Sequence, residues 1–177
     1  EEKYPQSQIE LANNAVLQQA KAEQLDKEFN QALQLASNAA QRKDFILALS
    51  GYQKALELKP DNQLAKDKIA EMNKIIVDLE NDKKYAQAIQ LADQALAKND
   101  FSTAKLQYQE ALKVKQEAYP KTKLAEIAAS EAKEVDFNNL MAKAEQSFTA
   151  RKLDEALLGY QEAQKIKPAD ASVKKKI

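Results

Sequence analysis

The chain has 177 residues, contains no His and no Cys, and balances 27 Lys and Arg against 27 Asp and Glu. Those absences exclude histidine acid–base chemistry, Ser-His-Asp triads, thiolate nucleophiles, disulfides and histidine or cysteine metal sites. The even, interspersed charge argues against nucleic acid or an anionic membrane as partner, since both need a clustered positive excess.

Only two glycines and four prolines interrupt a background rich in Ala, Leu, Lys, Glu and Gln, which favours long helices. No stretch alternates β-branched and aromatic residues over strand length, so an all-α fold is expected. No uninterrupted apolar run approaches the ~20 residues that cross a bilayer, and no segment at the start has the pattern of a signal peptide. Direct membrane insertion is therefore not expected. A chain without cysteine folds in any redox compartment, so localisation stays open.

In chain order, residues 1–28 read as the C-terminal helix of a truncated preceding repeat. A hairpin of two helices follows from Phe29, "FNQALQLASNAAQRKDFILALSGYQKALELKP". It realigns from Tyr85 as "YAQAIQLADQALAKNDFSTAKLQYQEALKVKQ" and from Phe137 as "FNNLMAKAEQSFTARKLDEALLGYQEAQKIKP". Small residues recur at fixed offsets: Ala36, Ala48 and Ala55 match Ala92, Ala104 and Ala111, then Ala144, Ala156 and Ala163. Phe45, Phe101 and Leu153 open the second helices, with Tyr52, Tyr108 and Tyr160 seven residues on. Such a pattern is a packing code, because helices approach closely only where small side chains face each other, with large ones filling the flanks.

The hairpins start at Phe29, Tyr85 and Phe137, in steps of 56 and 52 residues, so each is followed by extra chain. The extra chain repeats too: "AKDKIAEM" from Ala65 matches "PKTKLAEI" from Pro120, "YPQSQI" from Tyr4 matches "YPKTKL" from Tyr119, and the final "SVKKKI" begins a further copy. The organisation expected is one continuous solenoid, with units 29–84 and 85–136 each holding a hairpin plus an extra helical segment, and 137–177 holding a truncated one. Starting inside one unit and stopping inside another suggests a piece of a longer array. Between Asn62 and Lys98 neither Gly nor Pro occurs, and apolar residues keep helical spacing. A single long helix is favoured there; the alternative is a break near Asn81 and Asp82, where Asp82 would cap a new helix. The stretches Glu131–Asp136 and Asp26–Glu28 pose the same alternative.

Asp44 and Asp100 directly precede the second helices and suit N-caps. Pro60 and Pro168 should stop those helices, and Pro120 suits the first turn of the next. Gly51 and Gly159 fall inside predicted helices, one residue before the repeated tyrosine. Close helix packing is their expected role, and no glycine-rich phosphate loop is available.

These offsets resemble the tetratricopeptide repeat, in which a small residue stands at the eighth position, Ala at the twentieth and twenty-seventh, and Pro at the thirty-second of a 34-residue unit. Pro60 and Pro168 hold that last position, and Gln116 replaces it in the middle copy. The resemblance covers 29–62, 85–118 and 137–170. It implies an elongated, all-α solenoid of alternating long and short antiparallel helices, serving as a non-enzymatic scaffold for a protein or peptide partner, without cofactor. The 22 and 18 residues inserted beyond a 34-residue unit (56 − 34 and 52 − 34) would stretch the superhelix and open its groove, which motivates the alternative of a rod-like spacer in a cell-envelope or assembly protein. The long period is similar to repeats associated with bacterial envelope proteins.

If the chain holds a peptide as such repeats do, the resemblance assigns the contacts to the inner face of each first helix: Asn30, Gln34 and Ser37, then Gln90 and Asp93, then Asn138 and Glu145. A solvated polar face is the plainer reading of the same residues. Ser37, Asp93 and Glu145 stand where relatives that clamp a C-terminal carboxylate carry Lys or Asn, which argues against that clamp. Carboxylate pairs such as Glu126 with Glu131, or Asp154 with Glu155, lie on lysine-interleaved faces and read as helix pairing. The stripe Tyr52, Tyr108 and Tyr160 reads as core before it reads as a stacking ladder. Lys174, Lys175 and Lys176 read as a solvated face.

Overall fold

A computed structural model describes residues 3–177. It shows α1 (Lys3–Gln41), α2 (Phe45–Leu58), α3 (Gln63–Ala97), α4 (Phe101–Val114), α5 (Ala118–Thr149), α6 (Leu153–Ile166) and a short α7 (Ala171–Lys174), with no strand among the described residues. The chain is all-α. Helices α1, α3 and α5 are 39, 35 and 32 residues long, and α2, α4 and α6 are each 14. Asn81 and Asp82 lie inside α3, Glu131 to Asp136 inside α5, and Asp26 to Glu28 inside α1, so none of these acidic stretches breaks a helix. The chain divides into two compact units, Glu1–Asp82 and Lys83–Ile177.

In the first unit α1 packs on α2 through Ala36, Ala39, Ala48 and Tyr52, and Met72 of α3 closes the cluster. A second cluster joins Phe29 and Ala32 to Ala55 and Ala65. In the second unit Ala92 and Ala95 meet Ala104 and Tyr108, closed by Ile127 of α5. There, too, α5 packs on α6 through Ala144, Ala156 and Tyr160, while Val173 of α7 closes on Phe137 and Ala163.

The helix pairs are joined by one turn, built three times. The Lys43 amide donates to the Ala40 carbonyl and the Asp44 amide to Ala39, both at 2.9 Å. Asn99 and Asp100 donate likewise to Leu96 and Ala95, and Arg151 and Lys152 to Phe148 and Ser147. This pair of bonds is the Schellman motif, which satisfies the last carbonyls of the first helix. Its pivot residues Lys43, Asn99 and Arg151 have φ of 62°, 59° and 60°, a left-handed conformation that Asn tolerates better than Lys or Arg. The residue after the pivot begins the next helix: Asp44 accepts from the Leu47 amide and Asp100 from Thr103, each at 3.1 Å. Lys152 has no acceptor to offer, and Asp154 and Glu155 in the first turn of α6 face its positive end instead.

The turns after the short helices also share a plan. The Lys59 amide bonds Ala55, Pro60 follows, and Asn62 accepts from the Ala65 amide at 2.9 Å. Lys167, Pro168 and Asp170 repeat the arrangement, with Asp170 accepting from Val173 at 3.2 Å. The middle copy differs at two places at once. Without the proline, the Gln116 side chain donates to the Leu112 carbonyl at 2.6 Å. Pro120 takes the place of Ala65 and Val173, is fully buried, and has no N–H, so Glu117 stands in the cap position without any side-chain bond to make.

Asn62→Ala is therefore expected to lower stability by about 1 kcal/mol, whereas Glu117→Ala changes it by no more than a few tenths, as is usual away from such features. Chemical denaturation of the two variants measures the difference. Equal losses would contradict the assignment of the cap.

Candidate functional site

The seven residues predicted from the resemblance fall on the first helices of their hairpins. Asn30, Gln34, Gln90, Asn138 and Glu145 are exposed, while Ser37 and Asp93 are half-buried. Asn30, Gln34 and Ser37 are spaced by four and three residues and share one face of α1.

Two of the seven are already held by their own hairpin. Tyr108, without solvent contact, donates its hydroxyl to Asp93 Oδ1 at 2.5 Å, and Tyr119 donates to the same oxygen at 2.9 Å. The two rings meet edge to face, with centroids 6.2 Å apart. Tyr160 donates to Glu145 Oε2 at 2.5 Å, and Lys176 Nζ reaches the same carboxylate at 3.0 Å. In each case the carboxylate lies fifteen residues before the tyrosine, across the turn. Ser37 has the same register to Tyr52 but makes no such bond among the described residues. Tyr108 and Tyr160 are thus core residues whose hydroxyls emerge beside a first-helix carboxylate.

Burial, then the bond to Glu145, pushes the Tyr160 phenol up from 10.0 to about 12. Tyr108 is raised by burial first and Asp93 second, and Tyr119 by Asp93 first. Glu145 is held below the usual carboxylate range by the Tyr160 hydroxyl and then by Lys176.

A second repeated contact is a lysine clamp. Lys59, at the end of α2, lies 4.7 Å above the Phe29 ring and pairs with Asp26 at 2.6 Å. Lys167 lies 4.2 Å above Phe137 and pairs with Glu134 at 2.5 Å. Each lysine fastens the end of a short helix to the helix before it, one acid and one ring at a time. The signal is present in the sequence: Asp26, Asp82 and Glu134 each stand three residues before the hairpin's opening aromatic, and Lys59, Lys115 and Lys167 each stand thirty after it.

Three of the four carboxylates named above as pairs are engaged in ion pairs: Glu126 with Lys123, Glu131 with Lys105, and Glu155 with Lys152. No group of acidic residues able to hold a metal ion occurs among the described residues.

Among the described residues, two shallow clefts lie at matching positions. A Cβ on Gly51 would fall 2.8 Å from the Ala36 Cβ, and one on Gly159 would fall 2.9 Å from Ala144, closer than two carbons can stand. The glycines thus allow each pair of helices to touch. They also leave a cleft: about 250 Å³ beside Leu35, Leu47 and Gly51, flanked by Arg42 and Lys54, and about 200 Å³ beside Leu140, Leu158 and Gly159, flanked by Lys143, Glu155 and Glu162. Both are smaller than ordinary small-molecule pockets and open to solvent. The middle hairpin has Gln107 in place of the glycine.

No protein-family model matches the chain, and no curated protein matches it. None of the described helices is long and apolar enough to cross a membrane.

Asp93→Ala leaves two phenols without their acceptor, one of them buried, and should lower stability by about 1–3 kcal/mol in a thermal melt. Ser37→Ala, at the matching place in the first hairpin, should change it by less than about 0.5 kcal/mol. A second prediction concerns alkali. Since the fold favours the neutral phenol, the Tyr160 contribution is complete below pH 10 and is lost as pH rises through about 12. Tyr160→Phe should therefore lose less stability than the wild type between those values, as followed by circular dichroism.

Proposed function

We propose that the chain is a non-enzymatic interaction scaffold, in which tetratricopeptide-like hairpins stack as an elongated solenoid and present their surface to a protein or peptide partner. The observation that carries this reading is the pair of clefts at Gly51 and Gly159, each bordered by apolar side chains left in water, Leu35 and Leu47 in one and Leu158 in the other. Exposed leucines beside a groove are what a short apolar segment requires of its receptor. The first cleft, bordered by Arg42 and Lys54, suits an acidic segment, whereas Lys143 beside Glu155 and Glu162 gives the second charges of both signs. Asn30, Gln34, Gln90 and Asn138 supply exposed polar groups for such a contact, whereas Asp93 and Glu145 are tied to tyrosines and contribute less.

Leu47→Asp and Leu158→Asp alter surface positions and should leave the helices intact. A protein retained by the immobilised chain is expected to bind at least about tenfold more weakly to one or the other. Retention that neither change weakens, or no retention from the native lysate at any salt, would sink the proposal.

A second reading is a structural spacer in a larger envelope or assembly protein. It is favoured by first helices of 39, 35 and 32 residues, far beyond what a two-helix hairpin needs. Small-angle scattering separates the two: a near-spherical profile removes the spacer, and a long rod whose clefts bind nothing favours it.

A further inference from the structure

The first and third hairpins share one seam and differ at its rim. Ala36, Ala48, Tyr52 and Ala55 recur as Ala144, Ala156, Tyr160 and Ala163, all of them buried. Around the clefts beside Gly51 and Gly159 the matching residues change: Leu35 answers to Lys143, Leu47 to Glu155, and Lys54 to Glu162. Packing explains the seam, where a change of volume is felt at once. It does not explain the rim, where Leu35 is 68% exposed and Leu47 53%.

The opening belongs to the hairpin itself. The third hairpin follows α4 within its own unit, yet its cleft stays open and is lined by α5 and α6 alone. A preceding hairpin therefore leaves this level uncovered.

The first cleft also has a definite charge plan. Arg42 stands in the turn at the end nearer Leu47, and Lys54 stands at the other end, about 10 Å beyond Leu47 along α2. Among the described residues no carboxylate lines the cleft. The nearby Asp44 carboxylate accepts from the Leu47 amide at 3.1 Å. Lys54 pairs with Glu57 at 3.2 Å, but both side chains are exposed, so an incoming carboxylate displaces that pair at little cost. An extended segment covers about 10 Å in about three residues. Two acidic residues at that spacing, with one apolar side chain between them, match the two cations and the leucines.

We propose that the first cleft binds an internal acidic segment of a partner protein, seating one apolar side chain between Leu35 and Leu47 over Gly51, with carboxylates at Arg42 and Lys54. Leu35 and Arg42 lie about a third of a turn round α1 from Asn30, Gln34 and Ser37. The site is thus not the inner face, and it needs no chain terminus. This inference rests on the reading of the clefts as binding surfaces and gives one of them its ligand.

Fluorescence anisotropy on the whole chain tests it, using a short labelled peptide, blocked at both ends, in which one leucine lies between two glutamates. Two control peptides replace the leucine by serine or the glutamates by lysine. The chain should bind the first peptide at least about tenfold more tightly than either control, and more weakly as salt is raised. Leu35→Ser with Leu47→Ser should weaken that binding at least about tenfold. Arg42→Glu with Lys54→Glu should reverse the preference and take the lysine peptide over the glutamate one. All four positions are exposed, and circular dichroism checks that the variants fold; if the leucine variant does not, the charge variant decides alone. Equal affinity for the three peptides, an unaltered preference in the charge variant, or binding that survives loss of both leucines overturns the inference. Such a failure, alongside a lysate protein that Leu47→Asp or Leu158→Asp releases, leaves the scaffold reading standing.

Discussion

Nine alanines stand at the same three offsets in three hairpins, and none keeps more than about a hundredth of its surface in water. Where two helices meet across alanine, their backbones are close enough that the next larger feature must fit the remaining space. The repeated tyrosine is that feature. Its ring fills the gap beside the alanines, and its length brings the hydroxyl out at the hairpin edge, where Asp93 or Glu145 meets it. Gly51 and Gly159 extend the same close approach to the neighbouring level, and the clefts beside them are its by-product. Packing, polar pairing and surface relief thus descend from one small-residue seam.

The turns hold the seam in register. A Schellman motif fixes how far the first helix runs before the chain reverses, and the residue after its pivot is the N-cap of the next helix. No flexible loop intervenes between the paired helices. The lysine clamp acts at the opposite end, where Lys59 and Lys167 return the tail of the short helix to the ring and the acid of the long one. Each is a modest, partly exposed contact.

Much of this was legible in the sequence, and what was not has a physical reason. Helix class, the alanine code and the aspartate caps were readable because they depend on residues close in sequence, as with Asp44 and Leu47. The continuity of α3 through Asn81 and Asp82 follows from the absence of glycine and proline, which outweighs one local capping residue. The turn pivot was hidden, because Lys43 and Arg151 carry no sign of a left-handed conformation and only Asn99 does. The carboxylate partners are hidden in the sequence. Asp93 and Glu145 look like free polar groups on a helix face until the tyrosine fifteen residues later is brought across the turn. The lysine clamp was written in a fixed register of acid, ring and lysine, but that register has meaning only once the hairpin has closed.

Glu117 and Pro120 carry a consequence for how such a chain changes over time. In the outer copies a short polar side chain accepts an amide three residues on; in the middle copy the acceptor and the donor are both gone. Either arrangement is complete, but the half-way sequences are not. Restoring an amide at 120 beside Glu117 would strand a donor in a buried site, and giving Asn62 a proline partner would waste its cap. The two positions are therefore energetically coupled, and a substitution tolerated in one repeat can be harmful at the matching place in the next.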